Sequence, residues 1–270
     1  MKKPQISLII TTYNRPDALA VVIKSALDQM DLPDEIIVAD DGSGEETRKV
    51  VEQFRPISPV PLIHCWHEDL GFRLAAIRNR AIAMARFEYI VMIDGDIVLP
   101  RHFIKSHRKH ARPGYFIQGS RVMLGDKLTH RVISTHQYDI SVFSLGIKSS
   151  RFNALYIPFL SGYISYPVTS WQKVRGCNQA YWRDDVIKIN GFNEDFIGWG
   201  REDSEFMVRM QNAGIKCLKV KMEAYGYHLY HPESCRKMEQ KNHDILEEAI
   251  RNKSVRCTNG ISKYLVNTKI

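Results

Sequence analysis

Tyr89-Ile-Val-Met-Ile-Asp94-Gly95-Asp96-Ile97 decides how this chain folds. A short apolar run ends abruptly in two carboxylates that flank a glycine. Such a run, closed by turn residues, reads as a strand buried on both faces. Its end reads as a site: two hard oxygen ligands with no side chain between them suit a divalent cation of Mg²⁺ or Mn²⁺ size, whose remaining coordination is left for a diphosphate. Taken alone, Asp-Gly-Asp is more often a solvated turn. The surrounding sequence has to separate the two readings.

Upstream, strand and helix alternate. Ile6 to Tyr13 is a β-branched apolar run closed by Asn14-Arg15-Pro16-Asp17, after which Ala18, Val22, Ile23, Ala26, Leu27 and Met30 recur at helical spacing. Glu35 to Ala39 is a second predicted strand, ending in Asp40-Asp41-Gly42-Ser43. A helix over 45–54, a strand over 61–66 and an Ala-rich helix over 74–85 lead to the strand at Tyr89. Short apolar strands separated by helices predict an α/β fold with a parallel sheet covered on both faces. Ligands of such sheets bind at the carboxyl ends of the strands. Thr11 to Asn14, Asp40-Asp41, Glu68-Asp69 and Asp94 to Asp96 all lie at such ends, so four polar clusters converge on one rim.

Downstream the alternation weakens. The sequence predicts a basic helix over 100–111, one strand over 115–124, and an irregular stretch over 125–170 punctuated by Gly146, Pro158, Gly162 and Pro167. A connection of that length suits a lid or an acceptor surface. Predicted next are a strand over 174–182, a short helix over 183–189, a loop from Gly191 to Gly200, a helix over 202–213, and strands near 217–221 and 225–228. Lys237 to Arg251 reads as a charged amphipathic helix. The chain divides into 1–124, 125–235 and a tail, 236–270, with no internal repeat.

Composition bounds the partners. The chain has 270 residues, 44% of them hydrophobic, enough for a large core and unlike a disordered segment. A formal charge of +8, from 38 Lys and Arg against 30 Asp and Glu, suits an anionic partner. Five cysteines, Cys65, Cys177, Cys217, Cys235 and Cys257, form no C-x-x-C pair, so neither a disulfide framework nor a zinc ribbon is expected. A reducing cytoplasm is the expected location. The apolar run Ile6 to Ile10 is too short for a signal h-region, and no segment reaches the roughly 18 apolar residues of a membrane span.

An ordered set of motifs resembles the family 2 glycosyltransferases. Ile9-Ile-Thr11-Thr-Tyr13-Asn14 resembles their first strand and loop, Ile37-Val-Ala-Asp40-Asp41-Gly-Ser43 the second, and Asp94-Gly95-Asp96 their metal motif. Asp69-Leu-Gly71-Phe72-Arg-Leu-Ala-Ala-Ile-Arg78-Asn79 is similar to a segment of bacterial chondroitin polymerase. Gly198-Trp199-Gly200-Arg201-Glu202-Asp203 resembles the W-G-x-E-D motif of β-1,4-galactosyltransferases and N-acetylgalactosaminyltransferases. The likeness runs from Ile6 to about His231. It implies a single A-type glycosyltransferase domain with a mixed, mostly parallel central sheet flanked by helices. It further implies an inverting transfer of a hexose or N-acetylhexosamine from a UDP-sugar to a glycan or glycolipid acceptor. The chain also resembles soluble basic transferases that build bacterial surface polysaccharide or lipopolysaccharide on the cytoplasmic side; this resemblance implies a place at the inner face of the membrane, where peripheral contact is an option, and no nucleic-acid partner.

The same residues carry the chemistry. A carboxylate can accept the N3–H of uracil, a contact cytosine does not offer; Asp41 and Asp40 are both candidates. Thr11, Tyr13, Asn14, Gly95 and Arg78 complete the expected nucleotide site. Asp96 and Asp94 are the expected metal ligands for Mn²⁺ or Mg²⁺, a Lewis acid for the departing diphosphate. By resemblance a distal histidine joins them, His228 or His231, from Tyr227-His228-Leu-Tyr-His231. Inversion needs a carboxylate to take the acceptor proton; by motif position that is Asp203, with Glu202 binding hydroxyls. Trp199 on its Gly-rich loop, with Gly200, can stack on a sugar and move over it. Asp69 and, by resemblance, Asn178 line the sugars.

Two other classes compete. A sugar nucleotidyltransferase wants a Gly-rich basic loop after its first strand, and Thr11-Thr-Tyr-Asn14-Arg15-Pro16 has no glycine. A non-catalytic binder of nucleic acid or acidic glycan could use the charge, yet no nucleic-acid motif is visible.

Overall fold

The computed structural model describes residues 3–232 and 236–265. The first half alternates as the periodicity predicts: β1 (Ile6–Thr12), α1 (Pro16–Leu27), β2 (Glu35–Asp40), α2 (Glu45–Phe54), β3 (Leu62–Trp66), α3 (Leu74–Met84) and β4 (Tyr89–Asp94). There follow β5 (Ile97–Val98), α4 (Phe103–His110), β6 (Tyr115–Gln118), β7 (Ser120–Leu124), α5 (Asp126–Thr135), β8 (Ile147–Ser149), α6 (Pro158–Ile164) and β9 (Tyr166–Val168). The remainder is β10 (Asn178–Trp182), α7 (Arg183–Lys188), α8 (Glu202–Asn212), β11 (Lys216–Lys219), β12 (Tyr225–His228), α9 (Glu239–Arg251) and α10 (Ser262–Leu265).

An eight-stranded sheet runs β3-β2-β1-β4-β10-β6-β11-β9, and a four-stranded sheet runs β5-β12-β7-β8. In the large sheet the neighbours within β3-β2-β1-β4 and the β6-β11 pair are parallel, and the rest are antiparallel, so the sheet is mixed and mostly parallel. Alternation along β1 builds both faces. Ile6, Leu8 and Ile10 pack with Ala18, Val22 and Ala26 of α1, while Ile9 packs on the other side with Ile77 and Ala81 of α3. Register then sets the site: Thr11 stands opposite Asp94, Thr12 opposite Asp40, and Asp40 opposite Trp66. The polar ends of four strands are therefore level.

The single strand predicted over 115–124 is two strands in two sheets. Its break is Gly119, where a Cβ would overlap the side chain of Asn178. Asn178 is fully buried; its amide donates to the carbonyls of Ser120 (2.9 Å) and Ala224 (3.3 Å), and its oxygen meets His107 Nε2 at 3.0 Å. The stretch expected to be irregular contains α5, whose buried Leu128 and Val132 are four residues apart, as well as α6 and two short strands. The strand predicted from Val174 begins at Asn178, because the preceding residues form a loop against the start of α8. Cys65, Cys177, Cys217 and Cys257 are buried and unpaired; Cys235 lies outside the described residues. No described helix is long and apolar enough to cross a membrane.

The sheet switch makes Gly119 a sensitive position. Gly119→Ala should lower the unfolding free energy by about 1–3 kcal/mol in urea titrations, because the added methyl group displaces a fully bonded buried amide. Unchanged stability would show that Asn178 yields freely.

Candidate active site

The turn after β4 is fixed by backbone contacts. Gly95 N donates to Thr11 O at 2.6 Å, and a Cβ on Gly95 would lie 2.7 Å from that oxygen, so only glycine fits. Asp94 and Asp96 then leave in different directions. Asp94 Oδ1 accepts from Thr11 Oγ1 (3.1 Å) and Arg78 (3.4 Å). Asp96 joins the smaller sheet, where Leu229 N donates to Asp96 O at 2.9 Å and Ile97 pairs with His228.

That pairing brings a ligand set together. The donor atoms of Asp96, His228 and His231 all lie within 4.8 Å of one another. Asp96 Oδ1 is 3.6 Å from His228 Nε2, and Asp96 Oδ2 is 3.3 Å from His231 Nε2. The protonation chemistry fits a cation. His231 Nδ1 lies 2.7 Å from Pro232 O, so it carries the proton and leaves Nε2 as a lone-pair donor. Burial pushes the His228 pKa down, favouring the neutral ligand form, and Asp96 Oδ1 is buried without a hydrogen-bond partner. One carboxylate and two imidazoles form a mixed oxygen and nitrogen set that suits a first-row divalent ion, Mn²⁺ through the carboxylate and the later metals through the imidazoles. Asp94 is outside this set and is held by Arg78 and Thr11.

Arg78 links the metal-motif turn to the acid pair. The residue is 1% exposed, with its guanidinium between Asp94 and Glu202 Oε1 (3.3 Å) and over the ring of Phe192. Burial opposes its charge, yet Glu202 and Asp94 outweigh that and hold its pKa above the ordinary value. Burial, followed by the neighbouring Asp203, pushes Glu202 up to about 7 against the pull of Arg78. Both acids open α8, after Gly198, Gly200 and Arg201, all at positive φ. Asp203 Oδ2 accepts from Gly176 N at 2.7 Å, and a Cβ on Gly176 would crowd Arg78 and Asp203 at 3.1 and 3.3 Å. Trp199 is 37% exposed; its carbonyl and that of Ile197 accept from Asn242 of α9.

The second-strand carboxylates are not equivalent. Asp40 has no exposed surface, and its two oxygens are taken by Ser43 N (2.8 Å) and His64 Nε2 (2.9 Å). Asp41 instead reaches the segment after β3, with Oδ1 at 2.6 Å from His67 Nε2 and Oδ2 accepting from Arg73 N at 2.9 Å. Burial raises its pKa against both bonds. Asn14, at φ 48°, accepts from Gly44 N and donates its own N–H to Ser43 Oγ, tying the first loop to the second. Tyr13 is half exposed and donates to Asp69 Oδ2 at 2.9 Å. Thr11, Tyr13, Asn14, Asp41 and Asp69 therefore share one rim.

Arg78, expected at the nucleotide, has its guanidinium bonded to Asp94 and Glu202. Asn178, expected to line a sugar, has its polar atoms occupied inside the protein, where it joins two sheets. Conversely, His67 and Gly176 hold Asp41 and Asp203 in position. Only nearness to the motifs marks them in the sequence, since neither spacing nor hydropathy signals a backbone N–H donor.

Comparison with known proteins identifies the family and the fold. The model of glycosyl transferase family 2 matches residues 7–165, more than half of the chain, and the N-terminal domain of galactosyltransferase matches residues 143–232. Validoxylamine A glucosyltransferase of Streptomyces hygroscopicus subsp. limoneus is 26% identical over 244 residues, covering 84% of this chain and 52% of its own length. Chondroitin synthase of Escherichia coli is 24% identical over 238 residues, covering 83% of this chain and 34% of its own. The chain thus spans about half or less of these relatives. S. aureus TarS 1–349 in complex with UDP superposes with a TM-score of 0.59 at 16% identity, over 96% of this chain and 68% of that one, which shows a shared fold.

Glu202 makes the site sensitive to pH. Its folded pKa of about 7 lies above the ordinary 4.5, so the native state holds the extra proton between those values and stability falls as pH rises from 4.5 towards 7. In Glu202→Gln this fall should disappear, so the variant gains on the parent at pH 8 relative to pH 5 in denaturant titrations. Equal pH dependence in both proteins would contradict the burial argument.

Proposed function

The chain belongs to glycosyl transferase family 2, and from that premise we propose that it moves a hexose or N-acetylhexosamine from a UDP-sugar to a glycan hydroxyl with inversion. The observation that carries this is the Asp96–His228–His231 set at the end of β4, beside two carboxylates on α8 joined to the turn through Arg78. Those three residues would hold a divalent ion, which would supply Lewis-acid neutralisation of the departing diphosphate. Asp41 accepts the uracil N3–H, with Tyr13 against the base and Thr11 and Asn14 holding the nucleoside. Asp203, oriented by Gly176 N, takes the acceptor proton as the hydroxyl attacks the anomeric carbon. Glu202, braced by Arg78, binds hydroxyls beside it, and Trp199 stacks on the sugar face.

The acceptor side fits an extended glycan. Phe143, Phe152, Phe159 and Tyr163 are largely exposed on the 143–166 segment, and aromatic faces of this kind stack on sugar rings. The setting proposed is bacterial surface polysaccharide synthesis at the cytoplasmic face of the membrane. The glucosyltransferase and chondroitin synthase relatives support transfer to a carbohydrate-type acceptor.

Asp203→Asn keeps the shape and removes the base. Its turnover on a UDP-sugar should fall by roughly two or more decades with UDP affinity nearly intact. Collapse in Glu202→Gln with near-normal Asp203→Asn turnover would move the base to Glu202, whose pKa of about 7 is the observation favouring that second assignment. An α-linked product from an α-linked donor would overturn the mechanism.

Base choice is a separate test. UDP should compete with the donor at least tenfold better than CDP, because cytosine has no N3–H to donate to Asp41 and would set its own N3 lone pair against the carboxylate. Equal competition would remove the role of Asp41.

A further inference from the structure

Residues two apart on an α-helix project about 200° apart. Arg78 faces the acids, so Ala76 and Arg80 face away from them, and there a cavity of about 370 Å³ opens beneath the loop that leads to Trp199. Arg73, Ala76 and Arg80 of the α3 segment line it, together with His67, Glu194 and Lys263. The lining is cationic. Arg73, Arg80 and Lys263 stand against Glu194 alone, and Glu194 is already occupied: Oε2 meets Lys263 Nζ at 2.7 Å and Tyr264 Oη at 3.0 Å, and Oε1 accepts from Asn79 at 2.9 Å.

Two of these cations are incompletely bonded. Arg73 Nε and Arg80 Nε are buried nitrogens without a hydrogen-bond partner, an arrangement rare in folded proteins. Guanidinium groups suit carboxylate and phosphate because their N–H donors match paired oxygens. The volume lies at the lower end of small-molecule sites. Two walls connect the cavity to the donor site: Phe196 and Ile197 belong to the segment that carries Trp199, and His67 bonds Asp41.

We propose that this cavity binds a compact oxyanion, a phosphate or carboxylate group on a small molecule, through Arg73, Arg80 and Lys263. It is a second site, separate from the diphosphate position and filled independently of it. This goes beyond the transferase reading and stands whether or not uracil is the base recognised.

Calorimetric titration of the whole chain tests it with two probes, orthophosphate for the phosphate group and glucuronate for the carboxylate, each with saturating UDP and Mg²⁺ and again without nucleotide. At least one probe should bind saturably under both conditions, and the tighter one identifies the group. Arg80→Gln and Lys263→Gln should each weaken that binding about tenfold or more while leaving UDP affinity unchanged. The Lys263 side chain is 46% exposed, so its variant keeps the fold even if Arg80→Gln does not. The proposal is overturned if neither probe binds, if Lys263→Gln binds as the parent does, or if UDP displaces the probe, which would assign the anion to the diphosphate position.

Discussion

The guanidinium of Arg78, buried between Asp94 and Glu202, is the interaction on which the rest of the site depends. A buried cation is tolerable only with its partners in place, and removing one partner of a buried pair costs about 3–5 kcal/mol. Arg78 stands on α3, Asp94 ends β4 and Glu202 opens α8, so one side chain holds three elements to one geometry. Gly176 lies in the gap between Arg78 and Asp203, where any Cβ would crowd both. The strand-end rim and the acid pair of the second half are thereby joined by charge as well as by packing.

Electrostatics also explains why the site is built to receive cationic help. Asp94, Asp96, Glu202 and Asp203 gather around one arginine and two histidines, and burial disfavours the charged forms of Asp96, Glu202 and His228. Asp96, His228 and His231 would hold a divalent ion there, and its charge would compensate the carboxylate and a diphosphate beside it. Asp96 and His228 lie at the paired β5–β12 edge of the small sheet, and the acids of α8 are tied to the end of β4 through Arg78.

Much of this was legible in the sequence because hydrophobic periodicity is a local signal. The strands over 6–13, 35–39 and 89–93 and the helix over 45–54 lie within a residue or two of their predicted limits, and once they are known, the level strand ends follow from parallel pairing. Asp96 was read from the strand-end Asp-Gly-Asp and the distal histidines from resemblance; their meeting depends on β12 pairing with β5, which no local pattern encodes. The sheet switch at Gly119 escaped because Tyr115 to Ile117 before it and Val122 to Leu124 after it are both apolar, and the glycine is required by Asn178, distant in sequence. Asn178 itself sits beside the right motif but faces inward. α5 escaped because its buried stripe is only Leu128, Thr129 and Val132.

The central claim is that Asp96, His228 and His231 hold a divalent ion against a UDP-sugar diphosphate. Anomalous diffraction at the manganese edge, from crystals grown with UDP and Mn²⁺, measures it directly. The account predicts one strong peak at about 2.0–2.3 Å from a carboxylate oxygen of Asp96 and from an imidazole nitrogen of His228 or His231, with diphosphate oxygens completing the coordination. A peak that touches neither histidine, or UDP bound with no peak near Asp96, would contradict it.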